Sequence, residues 1–278
     1  MTPLSDADFQ FVARETKTRS GMLLTPDKQH LLDARLTPVA RREGFLSVQE
    51  LITTARARQD DRLLWVIADT LTVNETYFFR DRAPFEALRD AIVPALALKH
   101  GPGARLRILS AGCSTGQEPY SLAMVLDEMR AGGRGTDCEI VAIDISKRAL
   151  EKARAGAYSQ FEVQRGLPIH LLVRHFEKTG DSWRISDRMR AAIGFQRANL
   201  IEDLSALGRF DLILCRNVLI YFDADTRRRA LEQLADMLTP DGVLILGAAE
   251  TSAGPEFAAN AGRPGVFTLA APGRAAAA

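Results

Sequence analysis

RLRILSAGCSTGQEPYSLAMVLDEM, residues Arg105 to Met129, is the stretch that decides how this 278-residue chain is read. Leu106, Ile108 and Leu109 make a short apolar run, the mark of a buried strand. Small residues follow, from Ser110 through Gly112, Cys113 and Ser114 to Gly116, where the backbone can turn and approach a ligand closely. Pro119 then stands near the first turn of a helix whose Leu122, Leu126 and Met129 recur at i, i+4 and i+7. A strand, a glycine turn and a helix in this order open the nucleotide site of a doubly wound α/β domain. The G-x-G-x-x-G fingerprint is absent, which disfavours a nicotinamide oxidoreductase. Glu118, where the helix begins, disfavours a pyrophosphate and suits a ligand with an ammonium group, such as the methionine part of S-adenosylmethionine. The plainer alternative is a βα turn with a helix-capping glutamate.

Composition narrows the class. Hydrophobic residues are 46% and charged residues 26%, ordinary for a globular chain able to bury a sizeable core. A net charge of +1 provides no global field for nucleic acid or an acidic membrane, so neither is expected as a partner. Cys113, Cys138 and Cys215 are odd in number, widely spaced and form no C-x-x-C, which points to a reduced, cytoplasmic protein with no metal site. The acidic, polar start MTPLSDADFQF does not read as a signal peptide, and no apolar run reaches the ~20 residues of a membrane helix.

Downstream of the opening stretch the sheet continues. Cys138 to Ile143 predicts a second strand ending at Asp144, an acidic position suited to accepting the two hydroxyls of a ribose. Residues 156 to 192 break the alternation of strand and helix: a loop at 156–160, a short helix around His170 to His175, then a hairpin from Phe176 to Ile185 turning at Thr179 to Ser182. This segment reads as a small β insertion. Ile193 to Ala198 resumes the sheet and ends at Asn199-Leu200. Phe210 to Cys215 is continuously apolar, as a strand covered on both faces should be, and runs into Arg216-Asn217. A helix over Asp225 to Leu238 is stopped by Pro240-Asp241-Gly242, a strand covers Val243 to Leu246, and Gly265 to Leu269 is expected as the edge strand. The tail from Arg274 is expected to fray.

Upstream, residues 1–88 read as a helical domain and linker, with 89–278 as the α/β domain and 156–192 its insertion. Ser5 with Asp8 resembles a capping box, and Thr25-Pro26-Asp27 a second helix start. Pro38 should kink or end that second helix. Helices over Ser47 to Arg58 and Asp60 to Thr70 follow. Lys28, Arg35 and Arg42 recur every seven residues, with Arg41 beside them. Such a stripe is either a solvated face or a docking surface for an acidic partner. Between the halves stands NETYFFRD, Asn74 to Asp81, which is either an aromatic-packed hinge or a source of groups (Asn74, Thr76, Arg80) for a site on the following domain.

Taken in order, Asn74 to Arg80, Ser110 to Ser121, the strand end at Asp144, and Cys215-Arg216-Asn217-Val218-Leu219-Ile220-Tyr221-Phe222 closely resemble the chemotaxis receptor methyltransferase family, CheR, over nearly the whole chain. The resemblance implies a Rossmann-like S-adenosylmethionine-dependent fold behind an all-α domain. It implies transfer of the methyl group to glutamate side chains on the cytoplasmic part of methyl-accepting chemotaxis receptors, with S-adenosylhomocysteine as product and a monomeric, cytoplasmic enzyme that does not insert into the membrane. By motif, Asn74, Thr76, Arg80, Gly112, Glu118, Asp144, Asn199, Leu200, Arg216 and Asn217 would line the cofactor site. Arg80 and Tyr221 would stand nearest the reacting methyl, and Arg35, Arg41 and Arg42 would face the receptor. The short turn of the hairpin suggests a member that needs no receptor pentapeptide. A methyltransferase for another substrate and a non-catalytic cofactor-binding signalling protein are the competing readings.

Overall fold

The computed structural model describes residues 4–101 and 103–271; the side chains at 28, 30 and 31 lie outside the description, as does the tail expected to fray. The chain divides into two compact units, Met1–Val73 with Tyr221–Thr226, and Asn74–Ile220 with Arg227–Ala278.

In the first unit the apolar periodicities become α1 (Asp6–Ser20), α2 (Gln29–Arg42), α3 (Val48–Arg58) and α4 (Asp61–Leu71). Side-chain oxygens of Ser5, Ser47 and Asp60 accept from the backbone N–H groups of Asp8, Glu50 and Leu63 at 3.1–3.2 Å, the caps that start α1, α3 and α4. Each such cap contributes about 1 kcal/mol. Phe9, Val12, Leu36, Leu51, Ile52, Ile67 and Leu71 close one core. Contrary to expectation, α2 neither ends nor breaks at Pro38. Pro38 lies on the exposed face, so the backbone bond it cannot make falls at the solvent side, while Leu36 and Val39 keep the inner face buried.

The second unit begins earlier than the sequence suggested. Residues 74 to 88, grouped above with the helices, fold with the sheet because Phe78, Phe85 and Leu88 are buried in its core. One helical run follows: α5 (Ala83–Ala87), a π-helical turn (Leu88–Ile92) and α6 (Val93–His100). Then come β1 (Arg105–Ala111), α7 (Gln117–Ala131), β2 (Asp137–Asp144) and α8 (Lys147–Ala155). The insertion holds β3 (Ala157–Ser159), α9 (Gln160–Gln164), α10 (Ile169–His175), β4 (Phe176–Thr179), β5 (Ser182–Ile185) and α11 (Asp187–Ala191). The chain closes with β6 (Ile193–Arg197), β7 (Phe210–Cys215), α12 (Ala224–Asp236), β8 (Leu238–Leu246), β9 (Phe257–Ala259) and β10 (Val266–Leu269).

The main sheet has the order β6-β2-β1-β7-β8-β10-β9. Its first five strands are parallel, and β10 and β9 are antiparallel additions. This is a doubly wound α/β unit whose strand order reverses between β1 and β7. All six residues of β7 are buried, as its unbroken apolar run required. The hairpin forms as read, with Thr179 opposite Ser182, and β3 adds a third strand to it. Two boundaries differ from the reading. Gly265 to Leu269 is not the edge, because β9 pairs outside it. Pro240 to Gly242 do not sit in a loop but inside β8: pairing with β7 jumps from Phe210↔Leu238 to Leu212↔Val243, and the proline is accommodated at that irregularity.

Candidate cofactor site

Three parallel strands, β2, β1 and β7, deliver their C-terminal ends side by side, and a polar group stands at or beyond each end. Asp144 closes β2 with a nearly buried carboxylate. One of its oxygens accepts from Ser114 N–H at 2.7 Å and the other from Ser146 N–H at 2.8 Å. The carboxylate is thereby fixed at the loop after β1. Ser114 Oγ donates to the Asn74 carbonyl at 2.8 Å, which fastens the start of the NETYFFRD segment to the same loop.

Glu118 lies in the first turn of α7 but does not cap it. Its two oxygens accept from Ser110 Oγ at 2.8 Å and from Arg216 Nη1 at 3.0 Å. Arg216 follows β7, its side chain is 1% exposed, and its other terminal nitrogen donates to the Arg80 carbonyl at 2.7 Å and to Asp81 at 2.9 Å. Two carboxylates thus neutralise one guanidinium withdrawn from water, the condition under which a buried ion pair is tolerated. Truncating one partner of such a pair costs about 3–5 kcal/mol.

Asn217 completes the row. Its backbone sits at φ 59°, and its Oδ1 is buried with no hydrogen-bond donor. Among the described residues, five of the six positive φ angles at non-glycine positions fall in these segments: Phe79, Asp81, Arg82, Ser114 and Asn217. Conformations of this kind cost of order 1–3 kcal/mol each and persist where the surroundings enforce them, characteristically at ligand sites.

The remaining expected residues are placed as follows. Gly112 has φ 75°, and a Cβ on it would stand 2.4 Å from Val218 Cγ2, so its missing side chain makes room for Val218. Asn199 follows β6, is buried, and donates to Glu202 at 3.1 Å. Leu200 beside it is also buried. Thr76 is partly buried in the segment that Ser114 fastens. The Arg80 guanidinium donates to the Glu75 carbonyl at 3.0 Å and lies over the Tyr77 ring, whose environment it shares with Arg165. Arg165 also bonds Glu75 and holds that carboxyl below its usual range. Tyr221 belongs to the other unit, where it packs against the helical core and its carbonyl accepts from Leu23 N–H.

The basic stripe is also divided. Arg35 donates to the Leu71 and Thr72 carbonyls, closing the end of α4, while Arg42 pairs with Glu43. Arg41 is exposed, and the Lys28 side chain lies outside the described residues. Sequence reasoning passed over Ser110, Ser114 and Asp81 as partners of the named residues, and over Glu250. Only the small-residue run hinted at the two serines. Cys113 lies in the loop as well, but burial, aided by the charges of Asp144 and Glu118, pushes its thiol well up and leaves it a packing group. Among the described residues no group of three His, Cys, Asp or Glu could hold a metal, and no helix is long and apolar enough to cross a membrane.

Residues 74–258 match the family described as CheR methyltransferase, SAM binding domain. The chain belongs to the CheR methyltransferase family. Three relatives of this CheR chain show how far the likeness runs. Chemotaxis protein methyltransferase 1 of Pseudomonas aeruginosa is 38% identical over 250 residues, covering 88% of this chain and 90% of that protein. Chemotaxis protein methyltransferase Cher2 of Pseudomonas putida is 38% identical over 234 residues, covering 83% and 85%. A chemotaxis protein methyltransferase of Vibrio parahaemolyticus is 36% identical over 254 residues, covering 90% and 91%. This CheR chain is an S-adenosylmethionine-dependent methyltransferase, and S-adenosylmethionine is its cofactor.

Proposed function

We propose that the protein transfers the methyl group of S-adenosylmethionine to glutamate side chains on the cytoplasmic helices of chemoreceptors, forming methyl esters. The observation that carries the cofactor half is the row of acceptors Glu118, Asp144 and Asn217 Oδ1 at the ends of three adjacent strands. That set fits an ammonium and a ribose diol and repels a polyphosphate. The substrate half is supported by relatives named chemotaxis methyltransferases that match across nine-tenths of their length.

When bound, S-adenosylmethionine supplies an electrophilic methyl on a sulfonium: the carboxylate–carbon bond forms as the carbon–sulfur bond breaks, and the electron pair leaves with S-adenosylhomocysteine. Glu118 would hold the ammonium, Asp144 the ribose hydroxyls and Asn217 a further donor, while Asn199 and Leu200 would lie by the adenine, with Asn74 and Thr76 on the linker side. Arg216 keeps Glu118 oriented and fixes the Arg80-Asp81 backbone. A glutamate acceptor, with a pKa of about 4.3, is already ionised at neutral pH, so no general base is needed. Alignment of oxygen, methyl and sulfur is what remains for the protein to supply. Arg80 would orient the incoming carboxylate by charge-assisted hydrogen bonds, and the Tyr221 hydroxyl is the second group assigned to positioning. Arg41 and Arg42, with Arg35, would face the acidic receptor helices. The β4–β5 turn holds only Gly180 and Asp181, which supports docking without a receptor pentapeptide.

Methyl-labelled S-adenosylmethionine, incubated with the protein and receptor-containing membranes, tests this. Label on the receptor, released by base as methanol and undiminished by truncating the receptor C-terminus, is expected; Arg41→Glu should weaken it. Base-stable label would mean another acceptor chemistry, and binding without turnover would mean a sensor.

A further inference from the structure

Glu250 lies beyond β8 and is fully buried. Its carboxylate is saturated by backbone donors. Oε2 accepts from Gly247 N–H at 2.7 Å and Asn217 N–H at 2.8 Å. Oε1 accepts from Val218 N–H at 3.1 Å and Ile220 N–H at 3.3 Å. Two oxygens offer about four lone-pair sites, and four backbone donors fill them. A turn closes the node from the other side, with Glu250 N–H donating to the Gly247 carbonyl at 2.8 Å.

The loop held in this way is the one that follows β7. It contains Asn217, whose left-handed backbone and unpaired, buried Oδ1 were described above, and Val218, which fills the space over Gly112. Residues 217–220 form no strand and only a 3-10 turn at Leu219–Tyr221, so the repeating bonds of a sheet do not fix Asn217. Glu250 replaces them with a single charged acceptor. The node is also tight: a Cβ on Gly247 would lie 2.7 Å from Asn217 Nδ2 and from Glu250 Oε2, and 2.8 Å from Asn217 N.

We infer that Glu250 is a positioning residue of the cofactor site, acting through the loop after β7 to aim Asn217 Oδ1 and seat Val218 against Gly112. The inference rests on the reading that Asn217 faces S-adenosylmethionine. Whichever way its amide turns, a glutamine at 250 leaves two of the four N–H groups facing an NH2 group instead of an oxygen.

The full-length protein, titrated calorimetrically with S-adenosylhomocysteine alongside a thermal melt, provides the test. Glu250→Gln should weaken binding by about tenfold or more at a temperature where the melt shows it folded, a loss of the size expected for a charged hydrogen-bond network. Asn217→Ala should weaken it comparably, and the double variant should be little worse than either single one, because Glu250 acts on the cofactor chiefly through Asn217. If Asn217→Ala binds normally, the site reading fails. If Asn217→Ala weakens binding while folded Glu250→Gln does not, or if the two losses multiply in full, the positioning role is overturned. Should Glu250→Gln not fold, Gly247→Ala carries the test alone: its methyl wedges the same node, and normal binding by that variant would overturn the inference.

Discussion

Arg80 shows why a residue's partners matter more than its type. Its carbonyl is fixed by Arg216, whereas its guanidinium makes one bond, to a neighbouring carbonyl, and rests on an aromatic ring. The backbone is therefore anchored independently of the head group. Arg80→Ala is accordingly expected to lower kcat by about ten- to a hundredfold, the worth of a hydrogen bond to a charged group, with S-adenosylhomocysteine affinity little changed. Parallel losses in both would assign Arg80 to the cofactor pocket only. Glu118 and Asp144 stood out as candidates in the sequence because a carboxylate at a helix start or strand end has a restricted range of uses. Glu250 was not: an acidic residue in Ala-Ala-Glu-Thr-Ser carries no local sign that four backbone donors from two distant segments will converge on it. Arg35 is exposed, as its seven-residue spacing from Arg42 suggested, but that spacing could not show its guanidinium also bonding the end of α4.

At the scale of elements, what could be read was what periodicity encodes. β7, the hairpin and the capped helices of the first unit were anticipated within a residue or two, because continuous burial, a glycine turn and Ser or Asp caps are local signals. β3 and β9 were missed: each is three residues long, and its strand character comes from a partner rather than from its own pattern. The insertion is tied to α7 through Asp127, which meets Arg188 at 2.5 Å and Arg174 at 3.1 Å, with His175 Nε2 at 3.9 Å. Arg188 chiefly holds the Asp127 carboxyl below its usual range. His175 is buried with both ring nitrogens lacking hydrogen-bond partners, and burial lowers its pKa below 6.5, against the pull of Asp127 and Glu128 and together with the push of Arg174 and Arg188. Its folded pKa lies below its unfolded one, so the unfolded chain binds the proton more readily, and stability falls as pH drops through the unfolded value of about 6.5. The Asp127 contribution has the same sign but is lost only lower, below about pH 3.9. The melting temperature should therefore decline between about pH 7.5 and about pH 5.5, and decline less in His175→Gln. An equal decline in the variant would place the titrating group elsewhere.

For the whole molecule, the doubly wound class followed from the opening stretch together with the apolar strands after it, because alternating strands and helices admit few topologies. The division of the chain did not. Composition put the boundary near residue 88, but the aromatic payload of Phe78 and Phe85 belongs to the sheet's core, and six residues from 221 onward return to the helical unit. Contacts so distant in sequence leave no periodic trace. The claim that joins the two units into one function is that the acceptor is a glutamate on a receptor helix. Peptide mapping by mass spectrometry, on receptor-containing membranes incubated with the protein and S-adenosylmethionine, tests it most directly. One added methylene on glutamates of the cytoplasmic helices, lost on mild base and reduced with Arg41→Glu, is the predicted result. Added mass on lysine, arginine or the chain ends, or an unmodified receptor while S-adenosylhomocysteine accumulates, would contradict it.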